Sequence, residues 1–334
     1  MIEGLRVAVV VPAYRVAREI GGVVGAMPDG VDRIFVVDDA SPDDLGAVLS
    51  ALTDPRLRVL RHEKNQGVGG ATVTGMVAAI EEGADIIVKC DGDGQMDPAD
   101  IPALVAPVAR GVADHVKGSR YHHARELGTM PRWRFVGNVG LTFLTKLSSG
   151  YWNVLDPVNG FFATRAAVLD RIPLARISRR YFFETDLLVR LNIVEARVAD
   201  LPQPARYGNE RSSLSVTHAL FGFPPRLLAG LLRRVFWRYL FYDVSPVAIF
   251  GIAGSLLAVF GLGYGLWEWV RHAARGVTTP LGTIMLAAVP VIFGFQLLLQ
   301  AVILDIANTP RAGVRTSDLI AGLSRRETPP GPPR

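Results

Sequence analysis

The chain has 334 residues, a formal charge of +5, a sequence pI near 9.5 and 49% hydrophobic residues. Its one cysteine, Cys90, excludes a disulfide framework or a cysteine zinc site within a single chain. The apolar excess is uneven: the chain reads as soluble to about residue 215, turns strongly apolar to about 306, and ends in a polar, Pro-rich tail that reads as disordered.

From the N-terminus, Met1–Arg6 lacks the charged-then-apolar pattern of a signal peptide, so the soluble part is expected to stay in the cytoplasm. Short β-branched runs at Val7–Val11, Ile34–Val37, Arg58–Leu60, Ile86–Lys89 and His115–Gly118 predict strands. Ile20–Ala26, Leu45–Leu52, Ala71–Glu82 and Pro98–Ala109 predict the helices between them. Apolar strands alternating with helices imply an α/β fold with a mostly parallel sheet covered on both faces. Ligands bind at the carboxyl ends of such strands, where Pro12, Tyr14, Asp38, Asp39, Asn65, Asp91 and Asp93 fall.

Asp38-Asp39 ends the second strand, where paired acids suit a base or ribose, or equally a turn or helix cap. Asn65-Gln66-Gly67-Val68-Gly69-Gly70 is a glycine-rich turn into a helix, without the Gly-Lys-Ser/Thr of a P-loop. Asp91-Gly92-Asp93-Gly94-Gln95 follows the fourth strand. Carboxylates two residues apart beside glycines can approach a hard cation, Mg2+ or Mn2+, with Gln95 adding an oxygen.

Further along, Arg226–Phe241 projects as an amphipathic helix started by Pro224-Pro225. Arg226, Arg233, Arg234 and Arg238 share one arc, opposite Leu228, Leu231, Leu232, Val235, Phe236 and Tyr239. This predicts an interfacial helix with its arginines on anionic headgroups, the alternative, compatible with it, being a helix packed on the soluble domain. Val247–Trp267 would span about 31 Å at 1.5 Å per residue, enough for the hydrocarbon core. Leu281–Leu304 is a second span, in which Pro290 is expected to weaken a backbone hydrogen bond and kink the helix. Arg311 and Arg315 follow it, whereas the loop between the spans carries only Arg271 and Arg275. Both termini are therefore expected to be cytoplasmic. The basic residues border the apolar block, which favours a lipid surface over nucleic acid as the anionic partner.

Taken in order, six segments carry a resemblance: Val10-Val11-Pro12-Ala13-Tyr14, Val37-Asp38-Asp39-Ala40-Ser41, Asn65-Gln66-Gly67, Asp91-Gly92-Asp93-Gly94-Gln95, Lys117-Gly118-Ser119-Arg120 and Asp156-Pro157-Val158-Asn159-Gly160-Phe161. The chain resembles the family 2 glycosyltransferases of the GT-A fold, most of all the polyprenyl-phosphate (dolichyl-phosphate) hexosyltransferases. The resemblance implies a Rossmann-like GT-A domain over residues 1–215 and an amphipathic juxtamembrane segment over 216–244. It also implies two transmembrane helices over 245–306 and a polar cytoplasmic tail over 307–334.

The roles it implies are specific. Pro12, Tyr14, Asp38 and Asp39 would frame base and ribose, with Gly92 on the donor side. Asp91, Asp93 and Gln95 would hold Mg2+ or Mn2+ and the donor diphosphate. Arg120 would lie by the phosphates, Glu184 and Asp186 would line the acceptor side, and Arg206, Arg211 and Asn159 would contact the acceptor. The sequence departs from the family in Arg15-Val16, where Asn-Glu is frequent, in Phe162, where a basic residue is common, and in the loop after Arg206, which lacks the usual Ser-Lys pair.

The implied activity is inverting transfer of a hexose, from GDP-mannose or UDP-glucose, onto a polyprenyl phosphate at the inner face of the cell membrane. A homo-oligomer is compatible with this reading, and nucleic acid is not among the expected partners. The alternatives are a family 2 transferase acting on a lipid-linked saccharide or lipid hydroxyl, and a non-catalytic membrane scaffold with a nucleotide-binding fold.

Overall fold

The protein is described by a computed structural model covering residues 1–119, 132–203 and 216–311. Its contacts divide the chain into two compact units, Met1–Leu227 joined by the segment from Pro310, and Leu228–Thr309.

The first unit is built on β1 (Val7–Ala13), α1 (Ile20–Gly25), β2 (Arg33–Asp38), α2 (Leu45–Ala51), β3 (Leu57–Arg61), α3 (Val68–Glu81) and β4 (Ile86–Lys89). It continues through α4 (Ile101–Ala109), β5 (His115–Ser119), α5 (Arg132–Ser149), β6 (Phe162–Arg165), α6 (Ala166–Leu169), α7 (Phe183–Ile193) and β7 (Val198–Pro202). The seven strands form one sheet in the order β3-β2-β1-β4-β6-β5-β7. All pairings are parallel except those of β6, which runs antiparallel to both β4 and β5.

Strand alternation sends side chains to two cores. Val7, Val9, Val11, Ile34, Val36, Ile86 and Val88 meet α1, α2 and α4 on one face. Ala8, Val10, Phe35, Ile87 and Phe162 meet α3 and α7 on the other. Gly75 lets α3 lie close on β1, since a Cβ there would collide with Val10.

The five predicted strands and four predicted helices are all present, with no end moved by more than three residues. The sheet is mostly parallel, as expected, with β6 inserted as an antiparallel strand between β4 and β5.

Helix α8 (Val216–Phe236) begins in the first unit and ends in the second. The expected start at Pro224-Pro225 is corrected: the helix begins eight residues earlier and runs through both prolines, which are exposed. A π-helical turn, Trp237–Phe241, follows, and then α9 (Pro246–Ala274) and α10 (Leu281–Ala307).

Both α9 and α10 are long and apolar enough to cross a membrane. Ser245 caps α9 by accepting from Val247 N. The two helices pack through glycines: a Cβ at Gly254 would come within 2.9 Å of Gly294 O, and one at Gly261 within 2.6 Å of Ala287 O. Such close backbone approach is a common solution for helix pairs in lipid. Helix α10 continues through Pro290 as a single element.

Within this second unit, Arg234 joins Asp305 at 2.5 and 3.0 Å, and the Tyr239 hydroxyl donates to Asp305 at 2.7 Å. Arg238 Nη2 donates to Asn308 O at 2.8 Å. Both arginines are buried, while Leu228, Leu232, Phe236 and Leu240 are exposed. The expected arrangement of four arginines on headgroups is thus corrected for Arg234 and Arg238. Each has a partner within its own unit, and Tyr239, expected on the opposite face, is buried beside them, while Arg226 stays exposed with Leu228 and Leu232.

Candidate active site

The carboxyl edge of the sheet gathers the acids at the ends of β2 and β4. Asp38, 2% exposed, accepts from Ser41 N at 2.8 Å and lies 3.3 Å from Arg61 Nε. Asp39 is equally buried and has both oxygens engaged. Its Oδ1 accepts from His62 Nδ1 at 2.7 Å and Gln66 N at 2.8 Å, and its Oδ2 from Gly67 N at 2.7 Å.

His62 Nε2 in turn lies 2.9 Å from Thr74 Oγ1. Asp39 therefore builds the Asn65-Gln66-Gly67 turn, in which Gly67 takes φ +89°. Any contact of Asp38 or Asp39 with a base or ribose would share oxygens that already accept.

The loop after β1 is tied to the same edge. Arg15 N donates to Ser41 Oγ at 2.7 Å, and Asp43 accepts from Ser41 Oγ at 2.5 Å and from Ala17 N at 3.0 Å. Burial works to raise the Asp43 pKa, but the hydrogen bonds from Ser41 and Ala17 outweigh it and hold the carboxyl below its usual value. Pro12 is buried at the end of β1, whereas Tyr14 is exposed beneath the Arg15 guanidinium, 5.3 Å from its ring centre. Gly92 fits against Pro12 O, where a Cβ would approach to 3.3 Å.

Asp91 and Asp93 lie in the turn after β4. Asp93 Oδ1 accepts from Gln95 N at 3.0 Å, closing the turn, and Gly94 supplies φ +75°. Asp91 Oδ1 accepts from Lys89 Nζ at 2.7 Å, and the same ammonium lies 3.5 Å from Glu184 Oε1. Lys89 is 1% exposed. Burial alone would lower its pKa, but Asp91 and Glu184 reverse the effect and the pKa is raised.

Two carboxylates and a carboxamide form a hard-oxygen donor set of the kind Mg2+ and Mn2+ accept while keeping places for phosphate. The space fits as well: a Cβ at Gly160 would collide with Lys89 Nζ and come within 2.9 Å of Asp91 Oδ2. Glycine there leaves that oxygen clear. Among the described residues, no three or more His, Cys, Asp or Glu side chains converge as a metal cage.

Glu184 and Asp186, both in the first turn of α7, have different surroundings. Glu184 reaches Lys89 and so faces the Asp91 centre. Asp186 accepts from Ser178 N at 2.9 Å and lies 3.4 Å from Arg190 Nε, which ties α7 to the segment before it. Asn159 Oδ1 accepts from Phe161 N at 2.9 Å, and Asn159 O accepts from Lys117 Nζ at 2.6 Å. Arg120, Arg206 and Arg211 lie outside the described residues.

Sequence reasoning missed two buried lysines. Lys89, Phe162, Lys117 and Asp200 are successive cross-strand partners on β4, β6, β5 and β7, so they form one row on the α7 face of the sheet. Burial pushes the Lys117 pKa down to about 8, against the pull of Glu184, Asp156 and Asp200. Burial pushes Asp200 up to about 6. The available signal was a lysine at an inward position of an otherwise apolar strand.

Residues 8–173 match the family described as glycosyl transferase family 2. The UDP-N-acetylglucosamine–dolichyl-phosphate N-acetylglucosaminyltransferase of Methanococcus voltae is 30% identical over 71% of this chain and 96% of its own. The undecaprenyl-phosphate mannosyltransferase of Micrococcus luteus is 32% identical over 59% of this chain and 82% of its own. Among solved structures, glucosyl-3-phosphoglycerate synthase from Mycobacterium tuberculosis, in complex with Mn2+, UDP and glucosyl-3-phosphoglycerate, aligns with a TM-score of 0.52 at 23% identity. That alignment covers 69% of this chain and 80% of the synthase, and it shows a shared fold.

Proposed function

Because the chain belongs to glycosyl transferase family 2, we propose that it is a membrane-bound inverting enzyme that moves a sugar from a nucleotide donor to a polyprenyl phosphate. The observation that carries this reading is the joint presence, in one chain, of the Asp91–Lys89–Glu184 centre and two helices of membrane-spanning length. The relatives that act on dolichyl and undecaprenyl phosphate support the acceptor class. The donors proposed are GDP-mannose or UDP-glucose, and the Methanococcus relative adds UDP-N-acetylglucosamine to the set worth testing.

In the proposed reaction, an acceptor phosphate oxygen attacks the anomeric carbon. The bond from that carbon to the donor diphosphate breaks, and the nucleoside diphosphate departs with the electron pair. Asp91, Asp93 and Gln95 would hold Mg2+ or Mn2+, which when bound stabilises charge on the leaving diphosphate. Pro12, Tyr14, Asp38, Asp39 and Gly92 would frame the donor, and Asn159, Arg206 and Arg211 the acceptor, with Arg120 by the phosphates.

A phosphate acceptor is already ionised near neutral pH and needs no strong base. This agrees with the two candidate acids, because Glu184 is paired with Lys89 and Asp186 is bonded to Ser178 N and Arg190. A lipid-hydroxyl acceptor would need one of them free to take a proton.

The polyprenyl chain would stay in the bilayer beside α9 and α10, with the catalytic unit and both termini on the cytoplasmic side of the cell membrane. The test is mass spectrometry of products from purified protein, undecaprenyl phosphate and a panel of GDP-mannose, UDP-glucose and UDP-N-acetylglucosamine. A glycosylated polyprenyl phosphate is expected from one donor. Its absence with every donor, alongside transfer to a lipid hydroxyl or lipid-linked saccharide, would replace this reading by the alternative.

A further inference from the structure

Lys89 occupies a position that strand alternation assigns to a hydrophobic side chain. Its cross-strand neighbours are Val10 on β1 and Phe162 on β6, and both belong to the core under α3 and α7. An ammonium 1% exposed among such groups is costly unless it is paired and hydrogen-bonded. The pairing is specific: Asp91 Oδ1 at 2.7 Å and Glu184 Oε1 at 3.5 Å. Asp91 lies two residues away, in the turn, and Glu184 is 95 residues away, on α7.

Two consequences follow from this geometry. Lys89 takes one oxygen of Asp91, so the carboxylate is held at a fixed rotation with Oδ2 directed to the space that Gly160 keeps clear. Lys89 also sets the charge of the centre. Asp91 and Glu184 bring two negative charges against the one positive charge of Lys89, and Asp93 follows in the same turn, so the centre keeps the negative charge that attracts a cation. Without Lys89 the centre would carry an excess anion in a partly buried site, and a cation would be held too strongly and in the wrong place.

We propose that Lys89 is a positioning residue for the donor site, acting through Asp91, and that it limits how tightly the free enzyme binds a divalent cation. The proposal rests on the reading of Asp91 and Asp93 as metal-holding residues. A merely structural lysine would, on removal, lower stability without splitting kcat from donor KM. A positioning Lys89 predicts tighter binding of the cation together with slower transfer at a donor KM little changed.

The experiment uses the full chain in detergent, with Mn2+ as the probe, followed by electron paramagnetic resonance without nucleotide. Lys89→Met should bind Mn2+ about tenfold more tightly than the wild type, the effect of removing one nearby positive charge at intermediate effective dielectric. Transfer by the same variant should show kcat lowered by about 100-fold with donor KM within about threefold, since the loss is in transition-state positioning. Lys89→Arg, which keeps the charge, should stay within about threefold of wild-type Mn2+ affinity.

Unchanged or weaker Mn2+ binding by Lys89→Met overturns the proposal. If Lys89→Met does not fold, the double variant Lys89→Met with Glu184→Gln carries the test, because it removes one charge of each sign. Mn2+ affinity within about threefold of wild type is then expected, and a larger change in either direction overturns the proposal. Wild-type protein that fails to bind Mn2+ would instead sink the metal reading on which the proposal stands, so the two failures are distinguishable.

Discussion

Removing one partner of the Arg234–Asp305 pair should destabilise the C-terminal helical unit far more than removing both. The two side chains are 1% and 5% exposed. They meet through two nitrogen–oxygen contacts at 2.5 and 3.0 Å, and the Tyr239 hydroxyl donates to the same carboxylate at 2.7 Å. Arg234→Met leaves Asp305 as a buried anion, and Asp305→Leu leaves Arg234 as a buried cation. Each should cost about 3–5 kcal/mol, whereas replacing both by apolar groups of similar size should be close to neutral. The coupling energy of the cycle is then about 6–10 kcal/mol, above the roughly 0.5–3 kcal/mol usual for residues in direct contact. Wild type, the two single variants and the double variant would be compared by unfolding in detergent micelles. Additive losses in the two single variants would refute the reasoning, and so would a harmless Arg234→Met. If Arg234 instead faced headgroups, its loss would show as weaker, salt-dependent binding to anionic vesicles with no cost in unfolding.

Asp39→Ala should destabilise the catalytic unit by roughly 3–5 kcal/mol, because it removes three hydrogen bonds to a buried carboxylate, each worth about 1.5–3 kcal/mol before relaxation; unfolding curves in denaturant measure this. Asp186→Asn should weaken stability through Ser178 and Arg190 while lowering kcat modestly, and Glu184→Gln should lower kcat strongly with little loss of stability. Paired thermal-unfolding and transfer assays would refute the assignment if the two variants behaved the other way round. Asp200 titrates at about 6 in the folded protein against 3.8 in the unfolded chain. The folded state therefore binds the extra proton between those values, and stability falls as pH rises from about 4 through about 6. Asp200→Asn should remove that fall and raise the melting temperature at pH 7.5 more than at pH 4.5, as thermal scans across pH would show.

What could be read from the sequence, and what could not, divides by the range of the interaction. β1, β2 and β4 were legible because each is built on an apolar run ended by a turn, and Asp91–Gln95 was legible because the turn is local and glycine-marked. β6 and β7 were not: Phe162–Arg165 and Val198–Pro202 are short and carry Thr164, Arg165 and Asp200, so no apolar run announces them. The helical projection of residues 226–241 set Tyr239 opposite the arginines, whereas Tyr239 is buried with Arg234 on Asp305 and Arg226 stays exposed. That depends on Asp305, 71 residues beyond Arg234, which draws Arg234 inward while Leu228 and Leu232 stay outside.

The same limit governs the proposed active centre. Phe183-Glu184-Thr185-Asp186 presents two acids of equal standing in the sequence, and only the fold separates them. Helix α7 aims Glu184 at Lys89 and turns Asp186 toward Ser178 N. Lys89 itself was read as the end of an apolar strand, although a lysine at an inward position has to be neutralised by something. Its two partners come from a neighbouring turn and from a distant helix, and a motif confined to one segment records only the first. A buried charge that breaks a strand's pattern is thus a signal legible in sequence, and the structure supplies the identity of what it holds.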